Sequence, residues 1–294
     1  MGRKSLQRLL ALGLLGGLSS AALTAQAASP VWAIRGAHNT LYLAGSIHLL
    51  PPQDAALPAA FDRAYADSAR LVMELDLAKL DPMAAAGWML EHGALPPGAR
   101  LRTVIGEERY TRVSTAATEL GLPSEVLDGQ APWVVGIELA DLEYVHLGFD
   151  AEQGVEEQLV HRAQQDGKPT AGLETIDEEL GGLAALPHED QLRMLDQTLS
   201  ELKESPTELQ EVLSAWRRGD TAKLAALLSR EYSSFPALYR SLVTERNAHW
   251  LPRIEQLLRA GDNSMVVVGS LHLVGEGGLL ELLRKDGFTA QQMN

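Results

Sequence analysis

Cysteine is absent from the 294-residue chain. That excludes disulfides, thiolate metal ligands, thiol nucleophiles and lipid attachment at a leader-cleavage cysteine. Aromatic residues are few, with four Phe, five Trp and six Tyr, and do not themselves point to a haem cage. Basic residues are outnumbered, 25 Lys and Arg against 39 Asp and Glu, for a net charge of −14. Nucleic-acid binders need a basic face, so no nucleic-acid partner is expected. Anionic membranes repel a chain of this charge. No apolar run reaches the ~20 residues that span a bilayer. HExxH, GxSxG and Walker-type loops are also missing, which removes the common zinc-protease, serine-hydrolase and nucleotide readings.

The chain opens with a basic start, Arg3, Lys4 and Arg8, then an apolar run from Leu9 to Leu18 and a small-residue stretch containing Ala25-Gln26-Ala27. This is the pattern of a secretory signal over residues 1–28, cleaved after Ala27 or Ala28. The expected location is the periplasm or the medium, with no stable membrane anchor left after cleavage. Residues 29–294 contain no low-complexity linker and read as one α/β domain.

Val31 to Arg35 and Thr40 to Ala44 are apolar runs joined by Gly36-Ala37-His38-Asn39, a β-hairpin spacing. A helix follows over Leu57 to Ala69, then the short strand Leu71-Val72-Met73-Glu74-Leu75. Strand, helix, strand in this order predicts parallel pairing. A second such unit runs from Glu152 through the Asp166-Gly167-Lys168 turn to Pro169-Thr170-Ala171-Gly172-Leu173. Thr175 to Ala260 is helical in pattern almost throughout, and the β-branched strand Ser264 to Val268 comes next. Helix Leu279 to Arg284 and a short strand near Phe288 close the chain. The fold class is therefore α/β: a largely parallel or mixed sheet with an N-terminal hairpin, flanking helices and a helical insertion, about 175–260, before the last core strand. That insertion is placed to cover the sheet edge as a lid or substrate groove.

The chemistry-bearing feature is an internal echo. Leu41-Tyr42-Leu43-Ala44-Gly45-Ser46-Ile47-His48-Leu49 matches Met265-Val266-Val267-Val268-Gly269-Ser270-Leu271-His272-Leu273. Glycine at a strand end permits a sharp turn, and serine adds a short hydroxyl. His48, Glu74, Glu174 and His272 each fall at or just past the carboxyl end of a predicted strand. Parallel strands bring such ends to one edge, where these folds bind ligands. Each has a plainer alternative: a lone histidine as a satisfied loop residue, Glu174 as the acidic start of the next helix. Glu74 is the hardest to explain away, because a carboxylate inside Val-Met-Glu-Leu would be buried and in need of a partner.

The two GxxH motifs, with the Met73-Glu74-Leu75-Asp76 strand, resemble the TraB/GumN family, which is similar in turn to the Tiki proteases. The resemblance continues through Gly148-Phe149-Asp150, Gly167-Lys168-Pro169, Gly172-Leu173-Glu174-Thr175, Ala215-Trp216-Arg217-Arg218-Gly219-Asp220 and Glu245-Arg246-Asn247. It implies a metal-dependent, peptidase-like hydrolase acting on a peptide or protein substrate. His48, His272 and Glu74 are then the candidate ligands of a divalent ion, with Glu174 or Asp150 as base or fourth ligand. Arg246, unless a helix-surface residue, would hold a substrate carboxylate or a developing oxyanion. Nitrogen and oxygen donors without sulfur fit zinc, manganese or cobalt. The alternative is a non-catalytic periplasmic protein that sequesters a peptide, a metal or haem through the same residues.

Overall fold

The computed structural model describes residues 28–202, 206–233 and 235–294; the expected leader and its cleavage position lie outside the described residues or at their edge. Two apolar runs, Val31–Arg35 (β1) and Thr40–Ser46 (β2), pair antiparallel across the tetrapeptide that joins them. Strands β3 (Arg70–Met73), β4 (Thr170–Gly172), β5 (Ser264–Gly269) and β6 (Ala290–Gln292) complete a six-stranded sheet in the order β4-β3-β5-β2-β1-β6. β2, β5, β3 and β4 are mutually parallel, whereas β1 and β6 run antiparallel to their neighbours. The sheet is thus mixed, with the final short strand lying a little later than Phe288.

The helices are α1 (Ala59–Asp67), α2 (Pro82–His92), α3 (Leu101–Ile105), α4 (Glu107–Glu119), α5 (Pro132–His146) and α6 (Val155–Asp166). After β4 come α7 (Ile176–Ala184), α8 (His188–Glu201), α9 (Pro206–Arg217), α10 (Thr221–Tyr232), α11 (Pro236–Tyr239) and α12 (Glu245–Leu258), and α13 (Leu279–Lys285) follows β5. A π-helical turn, Arg240–Thr244, leads into α12. No described helix is long and apolar enough to cross a membrane.

Alternation along β5 builds the core on both faces. Met265 and Val267 pack with Phe61 and Ala64 of α1, Leu159 and Val160 of α6, and Trp216 of α9. Val266 and Val268 pack with Trp250 and Ile254 of α12, Leu224 and Leu228 of α10, and Leu279 of α13. Because β5 is covered on both sides, it reads as an unbroken β-branched run. A separate helical cluster, α3, α4, α5 and α8, closes around Val113, Val135, Leu139 and Leu195.

Candidate functional site

The parallel register aligns the two motifs: Gly45 pairs with Val268, and Ser46 with Gly269. Met73 pairs with Val267 on one side and Gly172 on the other. His48, Glu74, Glu174 and His272 therefore leave the same edge of the sheet. The two serines have different tasks. Ser270 Oγ donates to the Ser46 carbonyl at 2.9 Å, tying one motif to the other, while Ser46 Oγ donates to the buried Glu156 carboxylate.

The loop carrying His48 is clamped from outside the sheet. Leu50 and Asp150 exchange backbone hydrogen bonds at 3.1 and 3.3 Å, and the Val155 N–H donates to the Ile47 carbonyl at 3.1 Å. A side chain at Gly154 would meet the His48 carbonyl at 1.9 Å, so only glycine allows this approach. Trp216 Nε1 donates to the Gly45 carbonyl at 2.8 Å, anchoring the start of the first motif. Asp150 is not drawn into the polar cluster. Its Oδ1 accepts the Glu152 N–H at 2.9 Å and caps the short turn before α6.

The ring tautomers follow from the partners. Asn247 on α12 donates through Nδ2 to the carbonyls of His272 and Gly277 at 3.0 and 2.9 Å. Its oxygen therefore faces His272 Nδ1 at 2.8 Å, and Nδ1 must carry the proton. His272 Nε2 is left as a lone pair, 3.3 Å from Arg246 Nη1 and 3.9 Å from Glu74 Oε1. His48 Nδ1 lies 2.9 Å from Glu156 Oε1, which turns its Nε2 away from Glu156. A Cβ placed at Gly269 would lie 3.3 Å from Glu74 Oε1, 3.6 Å from the His272 ring and 3.8 Å from His48 Nε2. A side chain at Gly269 would crowd all three groups, whose donor atoms do not all lie within 4.8 Å of one another.

Arg246 is a buried cation, contrary to the helix-surface alternative: its side chain is 10% exposed. Nη2 donates to Glu74 Oε2 at 2.5 Å and to Glu174 Oε1, and Nε donates to Glu174 at 3.1 Å. Glu179 of α7 stands 3.7 Å from Nη2. Among the described residues, Glu74, Glu174 and Glu179 form the one group of three candidate ligands with atoms within 4.8 Å of one another. The guanidinium is their shared cation. Glu174 also accepts from Trp250 Nε1 at 2.8 Å, so both its oxygens are engaged. The next helix begins just after it, with a capping box between Thr175 and Glu178.

Burial alone would push the Glu74 carboxyl up, but His272, Arg246, His48 and the Gly269 N–H (2.6 Å) together hold it down at about 2. Burial dominates at His272 and lowers its ring to about 4. That ring is neutral at neutral pH, so the lasting cations beside Glu74 are the Arg246 guanidinium and the raised His48 ring. Glu156 is the main cause that raises the His48 ring, although the side chain is 63% exposed and solvent screens the pairing. Burial, then Glu74, raises Glu179 to about 7, whereas Glu174 is raised mainly by burial.

These shifts have opposite consequences for stability. The folded state binds fewer protons at His272 than the unfolded chain between pH 6.5 and about 4, so that contribution is lost as pH falls. The folded state keeps a proton on Glu179 that the unfolded chain releases above 4.5, so that contribution is lost as pH rises toward 7. Glu179→Gln removes the second effect and leaves the first. Urea unfolding should show the variant gaining stability with pH more steeply than wild type across pH 4.5–6.5. Parallel curves would mean that Glu179 titrates alike in the folded and unfolded chains.

Glu156 and Glu179 were not legible as site residues. Both lie in the first turn of a helix, where acids are favoured by the helix dipole alone. Asn247 had a signal in its place beside Arg246, but its partner is 25 positions away. A cleft of about 590 Å³ is lined by Arg112, Glu143, His146 and Leu199 among others and by none of the groups above.

Edge and sheet define the class: an α/β protein whose parallel strands end in paired glycine–histidine turns around buried carboxylates. Residues 30–292 match the TraB/PrgY/gumN family, and the chain belongs to it. Two relatives, both named uncharacterized protein YbaP, come from Escherichia coli (strain K12) and Shigella flexneri. Each is 28% identical over 243 residues, covering 83% of this chain and 87% of the relative. No solved structure matches the chain.

Proposed function

We propose that this is an exported metal-dependent hydrolase acting on a peptide or amide bond. The observation that carries the reading is that His48 Nε2, the His272 ring and Glu74 Oε1 all border Gly269 at the shared sheet edge. The donor set fits a divalent ion: imidazole nitrogens turned inward by partners on Nδ1, and a carboxylate that stays ionised. His48, His272 and Glu74 would hold the ion. When bound, it supplies Lewis acidity, polarising the scissile carbonyl and making an attached water acidic.

The remaining groups divide the other work. Glu156 and Asn247 orient the two rings. Arg246 fixes Glu74 and Glu174, and Glu174 serves as its anchor rather than as a free base. Glu179, with a pKa near 7, is suited to taking a proton from water and returning it to the leaving amine. The leader supports a periplasmic or secreted location. Zinc, manganese and cobalt all suit these donors.

The test is metal content. Purified wild type loaded with Zn, Mn or Co is expected to retain one ion per chain, and His48→Ala and His272→Ala each to lose at least about tenfold in affinity. Equal retention by all three proteins would end the shared-site reading. Retained haem with a Soret band, and no hydrolysis of a peptide library with any of the three ions, would turn it toward the sequestering alternative.

A further inference from the structure

An imidazole nitrogen that carries no proton offers one lone pair, in the plane of the ring, to one partner. Asn247 Oδ1 holds the proton on His272 Nδ1 at 2.8 Å, so the lone pair of this ring is on Nε2. That lone pair is already in use: Arg246 Nη1 donates to it at 3.3 Å. The same guanidinium donates through Nη2 to Glu74 Oε2 at 2.5 Å, and the Gly269 N–H donates to Glu74 Oε1 at 2.6 Å. Trp250 closes over the contact. Its ring centre lies 4.5 Å from that of His272 and 4.9 Å from Arg246 Cζ.

A divalent ion on His272 Nε2 would sit about 2.0–2.1 Å away along the same lone pair. No ion fits between the ring and a nitrogen 3.3 Å from it. The guanidinium has other anchors, and these let it release the ring without leaving the site. Nε donates to Glu174 at 3.1 Å, and Nη2 donates to Glu174 Oε1. Nη1 has a second acceptor in the Leu242 carbonyl at 3.3 Å, and Glu179 of α7 stands 3.7 Å from Nη2.

We infer that Arg246 and the divalent ion are alternative partners of His272, so that Arg246 sets how tightly the site holds its metal. Ion binding moves Nη1 off the ring while Nε and Nη2 stay on Glu174. The inference rests on the metal reading of the site and adds to it a residue that opposes loading. The spacing of the donors agrees. Those of His48, His272 and Glu74 are not all within 4.8 Å of one another, whereas those of Glu74, Glu174 and Glu179, the carboxylates around the guanidinium, are. An incoming ion must therefore displace a cation that is already hydrogen-bonded at the most anionic point of the site.

The test is zinc affinity at pH 7, by competition with a fluorescent chelator, for wild type, Arg246→Met, His272→Ala and the double variant. Arg246→Met is expected to bind zinc at least about tenfold more tightly than wild type. The gain should vanish when His272→Ala is added, which separates a contest for the ring from a general effect of charge. Wild type supplies a measurement that does not depend on the variant folding: nitrogen NMR of the Arg246 side chain with and without saturating zinc. The Nη1 signal should shift on loading, with the Nε–H still protected by Glu174. Three results would overturn the proposal while leaving a metal held by His48 and His272: guanidinium signals unmoved at saturating zinc, equal or weaker affinity in folded Arg246→Met, or a gain that survives His272→Ala. Zinc bound by none of the four proteins would end this proposal and the metal reading together.

Discussion

Arg246→Met is expected to destabilise the protein by about 3–5 kcal/mol at pH 7, the usual cost of removing one partner from a buried ion cluster. The side chain is 10% exposed and is the common cation of Glu74, Glu174 and Glu179. Methionine replaces only the aliphatic stem and leaves carboxylates facing one another in a site that burial already disfavours. Without the guanidinium their pKa values rise above those of the unfolded chain. The folded variant then takes up protons that the unfolded chain does not, so its deficit shrinks as pH falls. Denaturant unfolding of both proteins at pH 7 and pH 4.5 checks this. A deficit of the same size at both pH values would show that lost packing, not stranded charge, is responsible.

Glu74→Gln is expected to lower peptide hydrolysis by about 10²–10⁴-fold and to release the metal, since its Oε1 borders Gly269 at the shared sheet edge. The substitution looks conservative, but the two oxygens face two donors: Oε1 the Gly269 N–H and Oε2 the Arg246 guanidinium. A glutamine amide must turn its NH₂ toward one of them. That adds about 1–3 kcal/mol of destabilisation, read from thermal unfolding in parallel with metal content and rate. Full activity with metal retained would remove Glu74 from the chemistry. Lost activity with metal retained would make it a proton carrier instead of a ligand.

The hairpin, the parallel units and the helical stretch before β5 were legible because each announces itself locally. Thr40 to Ala44 and Ser264 to Val268 are apolar runs ended by glycine, and the helices carry a 3.6-residue period. Boundaries moved by a few residues: the first helix starts at Ala59, and the last strand pairs at Ala290–Gln292. The pattern of β6 is too short to carry periodicity, and its place is set by β1 pairing. Within the site, the repeated Gly-Ser-aliphatic-His pointed to His48 and His272, and a carboxylate inside an apolar strand pointed to Glu74. The expected burial of Glu74 holds, at 7% exposure.

The sequence by itself determined the strand ends, because glycine, serine and histidine after an apolar run are a local signature, and it determined that four polar residues share one sheet edge, because parallel strands align their carboxyl ends. Only the tertiary structure decided how those residues are held. Glu156 reaches His48 across 108 positions of chain by way of the clamp at Gly154. Asn247 chooses the His272 tautomer because its own amide is committed to two carbonyls. Arg246 lies on a helix whose pattern permits either a surface or a buried arginine, and it is buried because α12 packs Trp250 and Ile254 onto the sheet beside Glu74 and Glu174. Such pairings join residues far apart in the chain, and their strength comes from burial, which no local pattern records.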